Sequence, residues 1–167
     1  MFRMNWLAIL VSALIPLAVG FVWYHPRVLG AAWMRASGVT EDQIKSSNLL
    51  LIFGLSLLFS LLIALMVVPL VVHQMHVGSV LASEPGFRKD GSAVMVFLSD
   101  FMKTYGDRFR TFKHGALHGL IAGLLLVTPI IGTNALFERR GFRYIAINAG
   151  YWIVCLVLMG GVLSAWR

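Results

Sequence analysis

Four long stretches of this sequence contain no aspartate, glutamate, lysine or arginine, and this feature limits the folds open to the chain. The charge-free stretches are residues 4–24, 46–72, 114–137 and 144–166. An α-helix rises about 1.5 Å per residue and the hydrocarbon core of a bilayer is roughly 30 Å thick, so about 20 apolar residues can cross it. Every stretch reaches that length. The sequence therefore predicts four transmembrane helices.

The composition argues against a soluble domain. Hydrophobic residues make up 59% of the chain and charged residues 13%, where about 25% charged is usual in soluble proteins. The net charge is +7, and the basic residues flank the apolar stretches instead of forming a run of their own. That distribution favours the lipid bilayer and its anionic lipids as partners and disfavours nucleic acid. The single cysteine, Cys155, lies in the fourth stretch, which excludes an intrachain disulfide.

The second connection carries a helical pattern of its own. Between residues 94 and 112, apolar residues recur at intervals of three and four, with charged residues between them. This pattern predicts an amphipathic helix over about residues 92–113 that lies in the headgroup plane; the alternative is a helix that caps the bundle through protein contacts alone. The predicted fold is all-α, with one membrane domain over residues 1–167. It is a four-helix bundle with an additional amphipathic interfacial helix in the second loop.

Basic residues do not decide the orientation in the membrane. Eight lie in the termini and the second connection, and six lie in the first and third connections. Basic residues accumulate on the cytoplasmic side, so eight against six favours cytoplasmic termini only slightly.

Several short motifs resemble those of a known membrane family. In chain order they are Met4-Asn5-Trp6-Leu7-Ala8, Trp23-Tyr24-His25-Pro26, Gly30-Ala31-Ala32-Trp33-Met34, Phe112-Lys113-His114-Gly115-Ala116-Leu117-His118-Gly119, Thr133-Asn134-Ala135-Leu136-Phe137-Glu138-Arg139-Arg140 and Asn148-Ala149-Gly150-Tyr151-Trp152. Together they make the chain similar, over nearly its whole length, to the bacterial membrane family known as domain of unknown function 1761. The resemblance implies a four-helix membrane protein and gives no reaction. We expect a multi-pass protein of the bacterial inner membrane.

Small residues recur at intervals of four in every charge-free stretch. The strongest example is a glycine seam in the third stretch, formed by Gly115, Gly119 and Gly123. Such seams let helix backbones approach closely in lipid, where packing drives association. The seam fits packing inside one bundle and packing between subunits equally well. Because four short helices bury little surface, we expect a homo-oligomer or a subunit of a membrane complex.

Four histidines form a site-like pattern on the side of the second connection. They are His73, His76, His114 and His118. Spacings of three and four put each pair on one helix face, and the shared loop puts both pairs on one side of the membrane. Neutral imidazoles bind divalent transition metals, so the pattern predicts a metal site in which Asp100 or Asp107 orients the rings. The alternative cofactor is a haem held by two of the histidines. The alternative is ordinary interfacial histidines bonded to water, headgroups or carbonyls.

Polar residues also collect on the opposite side, at three predicted helix ends. This group comprises Tyr24, His25, Asn134, Glu138, Arg139, Arg140, Asn148 and Tyr151. Such residues can form a polar pocket for a lipid headgroup or a small solute. The alternative is structural, because amides within lipid commonly hydrogen-bond neighbouring helices, and Asn134 and Asn148 would do so here.

Missing motifs narrow the classes of function. No charged residue lies in a predicted span, and the chain has no phosphate-binding glycine loop, Gly-x-Ser-x-Gly elbow or His-Glu-x-x-His helix. The sequence favours a non-enzymatic membrane protein: a small oligomer that passes a solute or an ion, a lipid-binding protein or an accessory subunit. The competing hypothesis is a membrane-embedded metal- or haem-binding protein or enzyme that uses the four histidines.

Overall fold

The computed structural model describes residues 4–167 as a bundle of helices without β-strands in that range. Four of these helices are long and apolar enough to cross a membrane. They are Trp6–Trp23, Leu49–Val71, Phe112–Phe137 and Phe142–Ala165, and we call them the first to fourth spanning helices. The predicted all-α fold with four membrane-spanning helices is confirmed.

Side-chain caps explain where three of the spanning helices begin. A helix leaves its first backbone N–H groups without partners, and an Asn or Thr just before it can accept one of those hydrogen bonds. Asn5, Asn48 and Thr111 each accept a hydrogen bond from the backbone N–H three residues later, at the starts of the first, second and third spanning helices. Polar residues at the edges of the apolar stretches therefore set the helix starts.

The helix ends form two layers. We call the end of the bundle where the described chain begins and ends the terminal end. There, Asn5 Nδ2 donates a hydrogen bond to the backbone oxygen of Arg167 (3.0 Å). Arg3, one of the eight basic residues counted on this side, lies outside the described residues. Toward the opposite layer, the far end, Trp23 Nε1 donates to the backbone oxygen of Ile147 (3.0 Å). The first and fourth spanning helices are thus tied together near both ends.

The fourth spanning helix is the centre of the bundle. It packs most extensively against the third and also contacts the first and second. Its residues Cys155, Met159 and Leu163 are buried. Large apolar side chains such as Leu50 and Leu125 are exposed on the outer faces of the other helices. This is the distribution expected when the surroundings of the bundle are hydrocarbon.

Glycines bring the third and fourth spanning helices into backbone contact. A Cβ atom built on Gly115 would meet the carbonyl oxygen of Gly160, and one built on Gly119 would meet the carbonyl oxygen of Leu156. At Gly123 the nearest atom outside the helix would be 2.8 Å away, in a side chain of the fourth spanning helix. The structure therefore uses these three glycines for contacts within one chain.

Short helices occupy the connections at both ends. At the far end, the π-helical turn Pro26–Gly30 is followed by the helices Ala31–Ser37 and Glu41–Lys45. At the terminal end lie the helices Gln74–Val80 and Ala93–Tyr105, and we call the latter the loop helix.

The loop helix is shorter than the periodicity predicted. It ends at Tyr105 and not near residue 113, because Gly106 caps it and Phe109 adopts a φ of +64°, which leaves the helical path. The three- and four-residue spacing continues past Tyr105, but the residues there lie in a turn. In that turn Phe109 stacks on His114 and Arg110 bonds the end of the fourth spanning helix. Leu98 on the loop helix is buried. The placement of the loop helix in the headgroup plane stays a prediction.

Candidate metal centre

Three histidines meet at the terminal end. His73 follows the second spanning helix, and His114 and His118 lie about one turn apart at the start of the third. Each offers a ring nitrogen, and these atoms all lie within 4.8 Å of one another. Nε2 of His73 and Nε2 of His114 are 2.8 Å apart, a hydrogen bond whose donor depends on the tautomers. The ring centroids of His114 and His118 are 4.6 Å apart. We call these three residues the histidine cluster.

His76 lies outside the histidine cluster, although the spacing predicted that all four rings converge. That prediction assumed one continuous helix through His73 and His76. The second spanning helix instead ends at Val71, and a new helix begins at Gln74. The two histidines therefore do not share a helix face, and His76 is exposed.

Gln74 holds the turn that carries His73. Its side chain is buried, and its Nε2 donates hydrogen bonds to the backbone oxygens of Tyr105 (3.0 Å) and Arg108 (2.7 Å). These bonds join the start of helix Gln74–Val80 to the end of the loop helix. The backbone beside His73 is therefore fixed by a segment more than 30 residues away.

Phe109 covers one side of the histidine cluster. Its ring stacks on that of His114, with centroids 4.9 Å apart and planes inclined by 25°. Its φ of +64° lies in the left-handed region, which is uncommon for a residue with a large side chain. Ser164 Oγ donates a hydrogen bond to the Phe109 backbone oxygen (3.1 Å). The end of the fourth spanning helix thus helps to hold this turn in a strained conformation.

Arg110 joins the same turn to the fourth spanning helix. Its Nε donates to the backbone oxygen of Ser164 (2.8 Å) and its Nη2 to that of Trp166 (3.1 Å). The last carbonyls of a helix lack partners within it, and a cation there also complements the helix dipole. Because Arg110 follows Phe109 directly, the stacking on His114 depends on the C-terminal end of the bundle.

The surroundings of His73 favour its neutral form. Burial lowers the pKa of His73 below its ordinary value, and the neighbouring imidazoles of His118 and His76 lower it further. Neutral imidazole is the form that binds a metal. The ring is therefore ready to act as a ligand at neutral pH.

The geometry of the histidine cluster fits a single metal ion. Zinc–nitrogen bonds of about 2.0–2.1 Å place the nitrogens of two tetrahedral ligands roughly 3.3 Å apart. The 2.8 Å contact would open and the longer separations, up to 4.8 Å, would close, which small side-chain rotations allow. Three imidazoles leave one tetrahedral position for water or another ligand. The close ring contacts favour an ion over a haem, which would need space for its macrocycle between two rings.

The two aspartates expected to orient the rings lie elsewhere. Asp100 forms an ion pair with Lys103 (3.3 Å), and Asp107 forms one with Arg167 (3.1 Å). Both pairs are on the surface, so these carboxylates stabilise the connections and do not contact the histidine cluster.

A cavity of about 330 Å³ adjoins the histidine cluster. It is lined by His73 and by the aromatic residues Phe101, Tyr105 and Phe109, among others. It offers a path by which an ion or an additional ligand could reach His73. Sequence reasoning missed the contributions of Gln74 and Phe109, because neither belongs to a metal-ligand pattern and Phe109 fitted the helical periodicity.

At the far end, the structure joins three of the eight predicted polar residues. Tyr24 OH donates a hydrogen bond to Asn148 Oδ1 (3.0 Å), and the rings of Tyr24 and Tyr151 have centroids 5.2 Å apart. Asn148 Nδ2 donates to the backbone oxygen of Tyr144, and Tyr151 OH donates to that of Pro16. Burial raises the pKa of Tyr24 above its ordinary value, so its hydroxyl remains a donor. These bonds link the first and fourth spanning helices.

The other five polar residues do not join this group. Four of them are exposed: His25, Asn134, Glu138 and Arg139. The fifth, Arg140, is partly buried, and its guanidinium lies 5.9 Å from the ring centroid of Tyr144. Tyr24 and Asn148 also line a cavity whose apolar walls sequence reasoning did not identify.

Four apolar spanning helices packed through small residues, with polar groups gathered at the two ends, define a multi-pass membrane protein. The chain belongs to the family described as "Protein of unknown function (DUF1761)", whose model matches residues 7–164. This match confirms the resemblance carried by the motifs. No curated protein and no solved structure matches the chain.

Proposed function

We propose that this membrane protein binds a divalent transition-metal ion through His73, His114 and His118. The observation that carries the proposal is the mutual approach of their ring nitrogens, all within 4.8 Å. The three residues come from two helix ends that are separated by about 40 residues of chain. The approach of His73 to the other two therefore comes from the tertiary structure and not from local sequence.

The contacts of the rings support binding over a purely structural role. A structural histidine usually bonds a carbonyl, a hydroxyl or a carboxylate. Among the described residues, the hydrogen bond between His73 and His114 is the one that joins the three rings to any partner, and that partner is another imidazole. The ring of His118 instead packs against the rings of His73 and His114. A shared cation would satisfy all three nitrogens at once.

The ligand chemistry narrows the identity of the ion. Imidazole suits zinc, copper, nickel and iron, whereas magnesium and calcium prefer oxygen ligands. Among the described residues, no carboxylate joins the three imidazoles of the histidine cluster. We therefore propose a zinc-like transition-metal ion.

Metal analysis of the purified protein tests the proposal. The protein would carry an affinity tag without histidines, and bound metal would be measured by mass spectrometry of the elements and by zinc titration. We expect about one ion per chain in the wild type and loss of that ion in the double variant His114→Ala, His118→Ala.

His76→Ala is the matched control, because this histidine is close in sequence but lies outside the histidine cluster. We expect it to bind metal like the wild type. Equal loss in both variants, or no zinc binding by the wild type, would overturn the proposal. Circular dichroism would verify that the helices of each variant are intact.

A homo-oligomeric state, a non-enzymatic role and a location in a bacterial inner membrane accompany this proposal as predictions. An ion bound at the terminal end of the bundle is compatible with an accessory subunit and with a protein that passes ions. The metal titration tests the ion site, and a count of subunits by native mass spectrometry in nanodiscs tests the homo-oligomeric state.

A further inference from the structure

A second cavity, of about 780 Å³, lies at the far end, opposite the histidine cluster. Its walls are largely apolar and come from the first connection and the start of the second spanning helix. They include Trp33, Met34, Val39, Ile44, Leu49 and Ile52. A volume of roughly 300–1,000 Å³, apolar walls and a few polar groups are typical of sites for small molecules.

The cavity faces the hydrocarbon on one side. Leu49 and Ile52 belong to the first turn of a spanning helix and are 53% and 46% exposed. In a membrane, exposed apolar side chains on such a helix contact lipid. An occupant can therefore enter sideways from the bilayer, and the part that touches these residues must be apolar.

Polar residues also line the cavity or lie beside it. Tyr24 and Asn148 line the cavity and are bonded to each other. Arg140 does not line the cavity but lies beside it, because its Nη1 would be 3.3 Å from a Cβ atom built on Gly38, the neighbour of the lining residue Val39. Nε of Arg140 is buried and has no hydrogen-bond partner among the described residues. A cationic donor that an anion would satisfy therefore lies next to the cavity.

The charge at the far end is also positive. The first and third connections contain six basic residues and three acidic ones. The basic residues are Arg27, Arg35, Lys45, Arg139, Arg140 and Arg143, and the acidic ones are Glu41, Asp42 and Glu138. Among the described residues at this end, the one ion pair is between Lys45 and Glu41 (3.6 Å). The excess of unpaired arginine attracts anionic headgroups, and arginine binds phosphate with two parallel hydrogen bonds.

We propose that this cavity binds an anionic phospholipid. One acyl chain lies against Leu49 and Ile52, and the headgroup phosphate accepts hydrogen bonds from Arg140. Apolar lipid-facing residues, polar lining residues and an unsatisfied cation beside the cavity match the two parts of such a lipid. The site is at the opposite end of the bundle from the histidine cluster and does not depend on metal binding.

Native mass spectrometry of the delipidated protein in mild detergent tests the proposal. Phosphatidylglycerol and phosphatidylcholine with identical chains would be titrated separately, and bound lipids would be counted. We expect the wild type to bind phosphatidylglycerol about tenfold more tightly than phosphatidylcholine. Ile52→Trp, which fills the cavity, would lower the affinity for both lipids. Arg140→Gln would weaken the binding of both lipids, because both carry the phosphate, and would remove the preference for phosphatidylglycerol, whose headgroup has a net negative charge.

Leu50→Trp is the matched control, because Leu50 lies on the same turn but is 87% exposed and does not line the cavity. It should bind both lipids like the wild type. Equal binding of the two lipids by the wild type would overturn the proposal, as would equal effects of Ile52→Trp and Leu50→Trp. A dimer that Ile52→Trp dissociates would assign this face to a second copy of the chain and would also overturn it.

Discussion

At the scale of single residues, the backbone angle of Phe109 is the feature most open to a test. Alanine at this position removes the ring that stacks on His114 but keeps a Cβ atom at a φ of +64°. Glycine removes the ring and also relieves the left-handed strain, which costs about 1 kcal/mol. We therefore expect Phe109→Gly to have a free energy of unfolding about 1 kcal/mol above that of Phe109→Ala.

Denaturant titration in detergent micelles would measure that difference, and zinc titration would accompany it. Both variants should bind zinc more weakly than the wild type, because both lose the ring over His114. If the two variants proved equally stable, the turn would not be strained.

Residue-level prediction from the sequence worked where the helix was continuous and failed where it broke. His114 and His118 are four apart in one helix, so their proximity could be predicted from spacing. His73 and His76 are separated by a helix boundary, and the nearby Pro69 lies inside the second spanning helix, two residues before its end. The break depends on Gln74 bonding to backbone oxygens about 30 residues away, which no local pattern encodes.

At the scale of elements, Arg110 connects the turn after the loop helix to the end of the fourth spanning helix. Arg110→Met would keep an apolar stem and remove the donors to the backbone oxygens of Ser164 and Trp166. Hydrogen bonds from charged groups contribute about 1.5–3 kcal/mol each. We expect the free energy of unfolding to fall by about 3 kcal/mol, the lower end of the sum for two such bonds, because the bond to Trp166 is only partly buried. Amide exchange should rise in the last turn of the fourth spanning helix.

Zinc affinity should fall in the same variant, although Arg110 is not a ligand, because Phe109 is its neighbour. Arg108→Met is the control, since the Arg108 side chain is exposed and lies over the ring of Tyr105. Hydrogen-exchange mass spectrometry would compare the two variants. Unchanged exchange in Arg110→Met would show that the C-terminal turn does not need this residue.

The spanning helices could be predicted from the sequence, whereas the end of the loop helix could not. Crossing hydrocarbon demands a long run without charge, and that demand is visible in the sequence alone. The loop helix needs no such run, and its apolar spacing fits both a helix and a turn. Its end at Tyr105 is set by the contacts of the following residues with the bundle.

At the scale of the whole molecule, backbone contact between the third and fourth spanning helices sets the packing. Leucine at Gly119 would overlap the carbonyl oxygen of Leu156, whereas a Cβ atom at Gly132 would meet nothing within 4 Å. We expect Gly119→Leu to lower the thermal unfolding temperature strongly or to prevent folding. Gly132→Leu should change the free energy of unfolding by less than about 0.5 kcal/mol.

Thermal unfolding and native mass spectrometry of both variants would check this expectation. A Gly119→Leu protein that kept its stability and changed only its number of subunits would place the glycine seam between chains. The predicted homo-oligomer would otherwise have to use a different face.

The far-end cavity could not be predicted from the sequence, because its walls are joined only in three dimensions. Trp33, Ile52 and Asn148 come from three parts of the chain with different local patterns. Of the eight polar residues predicted there, Tyr24 and Asn148 line it. Polarity marked the correct end of the bundle, but the apolar walls are indistinguishable in sequence from ordinary lipid-facing residues.

The central position of the fourth spanning helix has a consequence for biosynthesis. This helix contacts the other three, yet it follows all of them in the chain and is therefore made after them. Until it inserts, the faces of Gly115 and Gly119 lie against lipid without their partner backbone. We therefore expect a more loosely packed three-helix stage during synthesis, in which proteolysis should cut the third spanning helix and its connections more readily than in the four-helix bundle.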